Sequence, residues 1–412
     1  SIEVYDQAGN YVASVVSTTD GKYSLPNLPD APYYVRVVDA TVKSSRLGSN
    51  GSEIPVLTYR TDGLVATANQ IGGNKPMLAD AGVNLGTATL NTTTFLFSGG
   101  GLTGKPAQSV QLVNLSGGDL KGVDFGFNFS TVVNTNDSGQ GSLRQFLLNN
   151  KQLATDGLAQ VLPASLAAEY PAGTETSIFM IPATQLTAGQ AIITLTSGAL
   201  SLERMHTAID GRTQIANIGS GTIVLNNSIS NGLNLLASAT SSAVRDITVS
   251  HAAGSGVLLD DTDNAVLERV TILNNSQYGV SLTNEALNNR IVTNTIAHNA
   301  WAGIAHIGSG LGNTYSQNSI HDNGGLGIDL GVDGVTANDD LDVDTGSNKL
   351  LNYPVVEAGS SISSNGTKVV AYDFDLDVPT NTHGYRLEFF RNTAVDSSSH
   401  GEGEIYLGYV DI

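Results

Sequence analysis

Cysteine is absent from the chain, so there is no disulfide, no thiol nucleophile and no metal site built on thiolates. Cationic side chains are scarce: 19 Lys and Arg stand against 38 Asp and Glu, a net charge of -19. That balance repels nucleic acid and anionic membrane surfaces and makes cations the favoured ionic partners. No run of eighteen apolar residues exists, so no helical membrane span is expected. The opening Ser1-Ile2-Glu3-Val4-Tyr5-Asp6 lacks the basic and apolar regions of a signal peptide, and the chain reads as an excerpt from a longer, exported protein. Only 14% of residues are charged while glycine is 46 of 412, which suits turn-rich β structure and leaves room for few helices. The length accommodates two or three domains, and three are expected.

What is present is a repeat. A glycine followed by an aliphatic residue returns at Gly232-Leu233, Gly256-Val257, Gly279-Val280, Gly303-Ile304 and Gly327-Ile328, at intervals of 24, 23, 24 and 24 residues. Three residues after each glycine stand Leu235, Leu259, Leu282, His306 and Leu330, which is strand spacing. Seven before the last four glycines stand Val249, Ile272, Ile296 and Ile320, and twelve before stand Val244, Leu267, Ile291 and Tyr315. Helical repeats need about ten residues per helix, and no such run fits between these turns. Three short strands per coil do fit, stacked about 4.8 Å apart as a parallel β-helix.

Polar residues align by the same rule. Five before the glycines come His251, Asn274, His298 and Asp322; four before come Ala252, Asn275, Asn299 and Asn323, a column whose amides are expected to hydrogen-bond along the axis. Arg245 stacks on Glu268 and Asp246 on Arg269, so opposite charges should meet across adjacent coils.

Resemblances extend this reading to the rest of the chain. Thr19-Asp20-Gly21-Lys22-Tyr23-Ser24-Leu25-Pro26-Asn27-Leu28-Pro29 with Tyr33-Tyr34-Val35-Arg36-Val37 resembles the B-type domains of serine-aspartate-repeat adhesins, which are prealbumin-like sandwiches. Hairpin signals at 2–38 agree, with strands expected at Ile2–Val4, Tyr11–Val15, Tyr23–Leu25 and Tyr33–Val37. Residues 39–120 are read as strands and long loops of the same sandwich. The string from Val132 to Phe146 resembles the start of secreted bacterial parallel β-helix proteins of the adhesin and surface-protein type. Within it Ser142 can cap a helix whose Leu143, Phe146, Leu147 and Leu153 cover the open end of a β-helix. Strands around Ile178, Ile192 and Ala208 are expected as irregular early coils, with 150–175 an excursion. The acidic loop after Leu330 is similar to that family's ending, and residues 353–412 look like a partial immunoglobulin-like sandwich.

The expected architecture is therefore all-β: a prealbumin-like sandwich at 1–130, a right-handed parallel β-helix at 131–352 and a partial sandwich at 353–412. The resemblances imply a structural or adhesive component of the bacterial cell surface, outside the cell. Both ends look unfinished, which leaves two explanations: the chain continues beyond them, or a neighbouring copy supplies the missing strand head to tail. On the second, copies of the chain joined into a fibre are the expected partners, together with surface glycans or other cells.

Catalysis makes definite demands. A glycosidase needs two carboxylates about 5–9.5 Å apart, and a lyase needs a base with a cation. Asp260, Asp261 and Asp263 are the only carboxylate cluster in the regular coils; no Lys occurs between Gly232 and Leu330, and a solvated turn is preferred to a substrate site. His251, His298, His306 and His321 are read as core or corner residues, none catalytic. The expectation is accordingly that the chain is not an enzyme, with a carbohydrate-active β-helix enzyme, a polysaccharide lyase or hydrolase, as the alternative. Asp333, Asp339, Asp340, Asp342 and Asp344 place several hard oxygen ligands in one glycine-flanked loop that could hold Ca²⁺. It is not an EF-hand, because Gly346 falls one place late and Leu351 stands where the bidentate Glu belongs.

Overall fold

The computed structural model describes residues 1–63, 71–155, 158, 160–364, 367–379, 384–395 and 398–412. Parts of three expected segments, 64–70 in the N-terminal loops, 156, 157 and 159 in the 150–175 excursion, and 365–366, 380–383 and 396–397 in the C-terminal sandwich, lie outside the described residues. The chain divides into two compact units, Ser1–Ser197 with His206–Val224 and Gly198–Met205 with Leu225–Ile412.

In the first unit the alternating N-terminal segments form a four-stranded antiparallel sheet in the order Tyr11–Val15, Ile2–Tyr5, Ala31–Val37, Ser109–Leu115. Tyr23 and Leu25, expected in a strand, instead leave the sheet and pack against the cluster of Ile2, Val4, Tyr33, Val35 and Val37. Two further antiparallel pairs join Val56–Arg60 to Phe125–Asn128 and Ala88–Leu90 to Phe97–Gly99. The helix Leu143–Gln152 forms as its cap predicts: Ser142 Oγ accepts from the Gln145 N–H at 3.1 Å. Leu143, Phe146, Leu147 and Leu153 are all buried. Parallel pairing begins in this unit, between Thr131–Val132 and Ile178–Phe179 and between Glu175–Thr176 and Thr207–Asp210.

The second unit contains the regular coils. One parallel sheet stacks Leu200–Leu202, Leu233–Leu235, Val257–Asp260, Val280–Thr283, Ile304–His306 and Ile328–Leu330. A second stacks Ala243–Arg245, Val266–Glu268, Arg290–Val292 and Thr314–Ser316, and a third Ile247–Ser250, Thr271–Leu273, Thr295–Ala297 and Ser319–His321. The register is the one the glycine alignment predicts, with Val257 beside Val280 and Val280 beside Ile304. This is a parallel β-helix.

Glycine recurs because nothing larger fits. A Cβ on Gly279 would lie 2.4 Å from Ile296 Cγ2 and 2.6 Å from the carbonyl oxygen of Gly303, and Gly256 and Gly303 are equally tight. The corner residues His251, Asn274, His298 and Asp322 all have φ near +56°, within 55–56°, a region that Asn, Asp and His enter most readily after glycine. One place further on, Asn275 Nδ2 donates to Asn299 Oδ1 at 2.7 Å and Asn299 Nδ2 to Asn323 Oδ1 at 2.8 Å. Two more amide columns, Asn289 to Asn313 and Asn294 to Asn318, repeat the pattern. The expected charge pairs also form, Arg245 with Glu268 at 2.7 Å and Asp246 with Arg269 at 3.0 Å.

Beyond the coils, Val355–Ser364 pairs with Thr367–Asp375, and Arg386–Arg391 with Ile405–Asp411, as two separate antiparallel hairpins. The second hairpin and the loop before its last strand cap the final coil. Glu402 accepts from Asn323 N at 3.1 Å and from Asn323 Nδ2 at 2.7 Å, so a carboxylate ends the asparagine column.

Candidate active site

Two of the three carboxylates singled out in the regular coils, Asp260 and Asp263, are bonded to the scaffold. Asp260 Oδ1 accepts from Thr283 Oγ1 at 2.8 Å and from Asn284 Nδ2 at 2.5 Å, and Asp263 Oδ1 accepts from the Leu287 N–H at 3.0 Å. Each ties its own turn to the next coil. A groove of about 610 Å³ between the second hairpin and the last coil also contains carboxylates, Glu388 and Glu402. Both serve as caps: Glu388 accepts from Ser316 Oγ and from Gln317 N at 2.8 Å, and Glu402 closes the asparagine column.

Another acid differs from these in its burial and bonding. In the first parallel sheet the residues between the inward-facing ones form the column Asn234, Leu258, Ser281, Ala305 and Asp329. The first two are half-buried and the last three are buried, with Asp329 9% exposed. Asp329 Oδ1 has no hydrogen-bond partner. Burial pushes its carboxyl above the usual range and the charge of Asp333 adds to the rise, against the N–H groups of Gly334 and Val332, which favour the ionised form. Two coils back, Tyr278 feels the same charge: burial, then Asp329, raises its phenol. Tyr278 is packed edge-to-face on Trp301 with ring centroids 4.9 Å apart, and Trp301 remains 46% exposed.

A buried carboxyl with a raised pKa, the charge of Asp333 acting on it, and a half-buried tyrosine packed on an exposed tryptophan are components that general-acid chemistry on a ring-shaped substrate can use. Of the five aspartates nominated from the 333–344 loop, only Asp333 joins this group. Asp342 is buried and accepts from Asn352 N at 2.8 Å, and the Asp339 N–H donates to Asn352 Oδ1 at 3.0 Å. Among the described residues, the carboxylates of Asp333, Asp339, Asp340, Asp342 and Asp344 are not gathered into a three-ligand group. Sequence reading missed Asp329, Tyr278 and Trp301. The available signal was the column itself, in which Asp329 is the one acid.

The fold and this site define a right-handed parallel β-helix protein. Residues 191–341 match a family model described as "Right handed beta helix region". That span reaches neither 1–37 nor 132–146, on which the adhesin resemblances rest. No curated protein matches. Among solved structures, the chain is similar to the catalytic domain of a GH87 alpha-1,3-glucanase D1069A in complex with tetrasaccharides, at 13% identity and a TM-score of 0.23. The match covers 71% of this chain and 60% of the glucanase chain. The expectation that the chain is not an enzyme is corrected to this extent: the matched chain is a glycoside hydrolase catalytic domain, and an enzyme is the reading proposed for this chain. The expectation weighed only Asp260, Asp261 and Asp263 and passed over Asp329, a lone acid raised by burial in the last coil. A likeness at that TM-score transfers no activity or substrate to this chain. No helix among the described residues is long and apolar enough to cross a membrane.

Proposed function

We propose that the chain is a carbohydrate-active β-helix enzyme, a hydrolase of polysaccharide, with Asp329 as general acid and Asp333 as its carboxylate partner. The observation that supports this reading is Asp329 itself, nine-tenths buried, with an unbonded Oδ1 and a carboxyl raised by burial, its charge felt by a half-buried Tyr278 that packs on the exposed Trp301. Cleaving a glycosidic bond requires a proton for the leaving oxygen and a second carboxylate to meet the cationic transition state. Burial raises the Asp329 carboxyl and so favours its protonated form, the form a general acid must have. The aromatic faces carry a negative quadrupole and offer a platform for the C–H face of a sugar ring.

The test is release of reducing ends from a panel of neutral and acidic polysaccharides that includes α-1,3-glucan. Asp329→Asn should lower kcat/KM by roughly 10²–10⁴, the usual contribution of a general acid. Trp301→Ala should act mainly on KM. The wild-type rate should fall as pH rises through the elevated Asp329 pKa, because the proton to be donated is then lost. Release undiminished by Asp329→Asn sinks the assignment. Glycan binding without cleavage, reduced by Trp301→Ala alone, would favour the adhesive role instead.

A further inference from the structure

One corner of the last two coils carries side chains that no function has yet been given. His298 and Asp322 occupy equivalent positions on consecutive coils, both with left-handed backbone, φ +56° and +55°. That conformation turns their side chains out at the same corner, one coil apart. His321, the strand residue before Asp322, is stacked in register on Ala297. Its ring meets that of His298 edge-to-face at 5.9 Å between centroids. Asp322 Oδ2 is bonded to His321 Nδ1 at 2.7 Å. One ligand atom from each of the three residues lies within 4.8 Å of the other two, and among the described residues this is the one such group.

We propose that His298, His321 and Asp322 form a binding site for a divalent first-row transition ion, bridging the last two coils of the β-helix. Two imidazoles and one carboxylate are a borderline donor set that suits Zn²⁺ and its neighbours and disfavours Ca²⁺ and Mg²⁺, which take oxygen ligands. Ligand atoms around a tetrahedral ion with bonds of about 2.0–2.1 Å stand roughly 3.3 Å apart. The present separation closes to that by rotation of exposed side chains: His298 and Asp322 are exposed and His321 half-buried. Orientation is partly set before an ion arrives. The carboxylate already holds one imidazole, and its acidity is raised by His321 first and by His298 as well. Solvent access leaves at least one position for water. The Glu404 carboxylate, on the capping hairpin, is close enough to feel both His321 and Asp322, while its main-chain oxygen accepts from Ser319 Oγ at 2.6 Å. An ion here would therefore strengthen the junction between the final two coils and the hairpin that covers them.

Zn²⁺ titrated calorimetrically into untagged, chelator-treated full chain is the direct test. One saturable site is expected, weakened at least tenfold by His298→Ala, by His321→Ala and by Asp322→Asn. Because all three side chains lie at the surface, the variants should melt at the wild-type temperature without metal. Added Zn²⁺ should raise the midpoint only in the wild type, since binding to the native state alone stabilises it. Millimolar Ca²⁺ should neither compete nor shift the melt through this site. Absence of saturable Zn²⁺ binding overturns the proposal, and so does binding of unchanged affinity in the His298→Ala/His321→Ala double variant.

Discussion

His306 takes the leucine position in the inward column Leu235, Leu259, Leu282, His306 and Leu330, and the structure buries it completely. Its Nδ1 meets the Tyr315 hydroxyl at 2.9 Å while Nε2 has no partner. A cation there would be stranded in the core, so burial drives its pKa down to about 4. The unfolded chain takes up that proton near pH ~6.5. Stability is therefore complete above ~6.5 and is lost as pH falls from there through about 4. Denaturant midpoints measured between pH 7 and 4 should show this loss. His306→Gln, which retains a hydrogen-bonding partner for Tyr315, should flatten it. A variant with the same acid sensitivity as wild type would remove His306 from the explanation. Nothing near His306 in the chain announces this behaviour; only the alignment of coils exposes a histidine among leucines.

The coil is the next scale, and here the sequence is most informative because each column repeats one steric or hydrogen-bonding requirement. Gly279→Ala would force a methyl group against Ile296 and the Gly303 carbonyl, and overpacking of that kind costs about 1–3 kcal/mol. Asn299 is buried, accepts from both Asn275 N and Asn275 Nδ2, and donates to Asn323. Asn299→Ala leaves those groups unpaired, at about 1–3 kcal/mol each, and should be the more damaging change. Urea unfolding with unaltered slope would read both. A cost under ~0.5 kcal/mol for Asn299→Ala would mean water replaces the amide. The amide columns, the charge pairs and the Ser142 cap were all legible because their partners lie one period or three residues away. Asp329 was not, since its burial and its approach to Tyr278 and Asp333 come from coils and a loop with no common spacing. The capping role of Glu388 and Glu402 was hidden for the same reason: their partners Gln317 and Asn323 lie 71 and 79 residues away.

At the scale of the whole molecule the two units rest on unlike cores. The second is a stack of aliphatic columns, in which each coil needs its neighbours. The first depends on a buried ionic cluster: the Arg36 guanidinium is 0% exposed, pairs with Glu3 at 2.7 Å and Asp80 at 2.8 Å, and lies 4.9 Å over the ring of Phe97. The Asp80 carboxylate also accepts from the Asp39 N–H at 3.1 Å, and the Asp39 carboxyl, buried beside Asp80, is held well above the usual range by burial first and by that neighbour second. Three acids thus share one cation, and its removal leaves them without a counter-charge in a dry interior. Arg36→Met should destabilise by about 3–5 kcal/mol, the cost of breaking a buried pair from one side. Because a folded protein opens in local cooperative blocks, that loss should be read regionally by hydrogen exchange. Amides of Ile2–Tyr5, Ala31–Val37 and Ser109–Leu115 should lose protection, while those of Val280–Thr283 and Ile304–His306 keep theirs. The two acid responses also differ in sign. Protonation suits Asp39 in the folded state, so stability from that group is lost as pH rises, whereas the His306 coil weakens as pH falls. Equal loss of protection in both sets of strands on Arg36→Met would show a single cooperative block and defeat the idea of separately sustained cores.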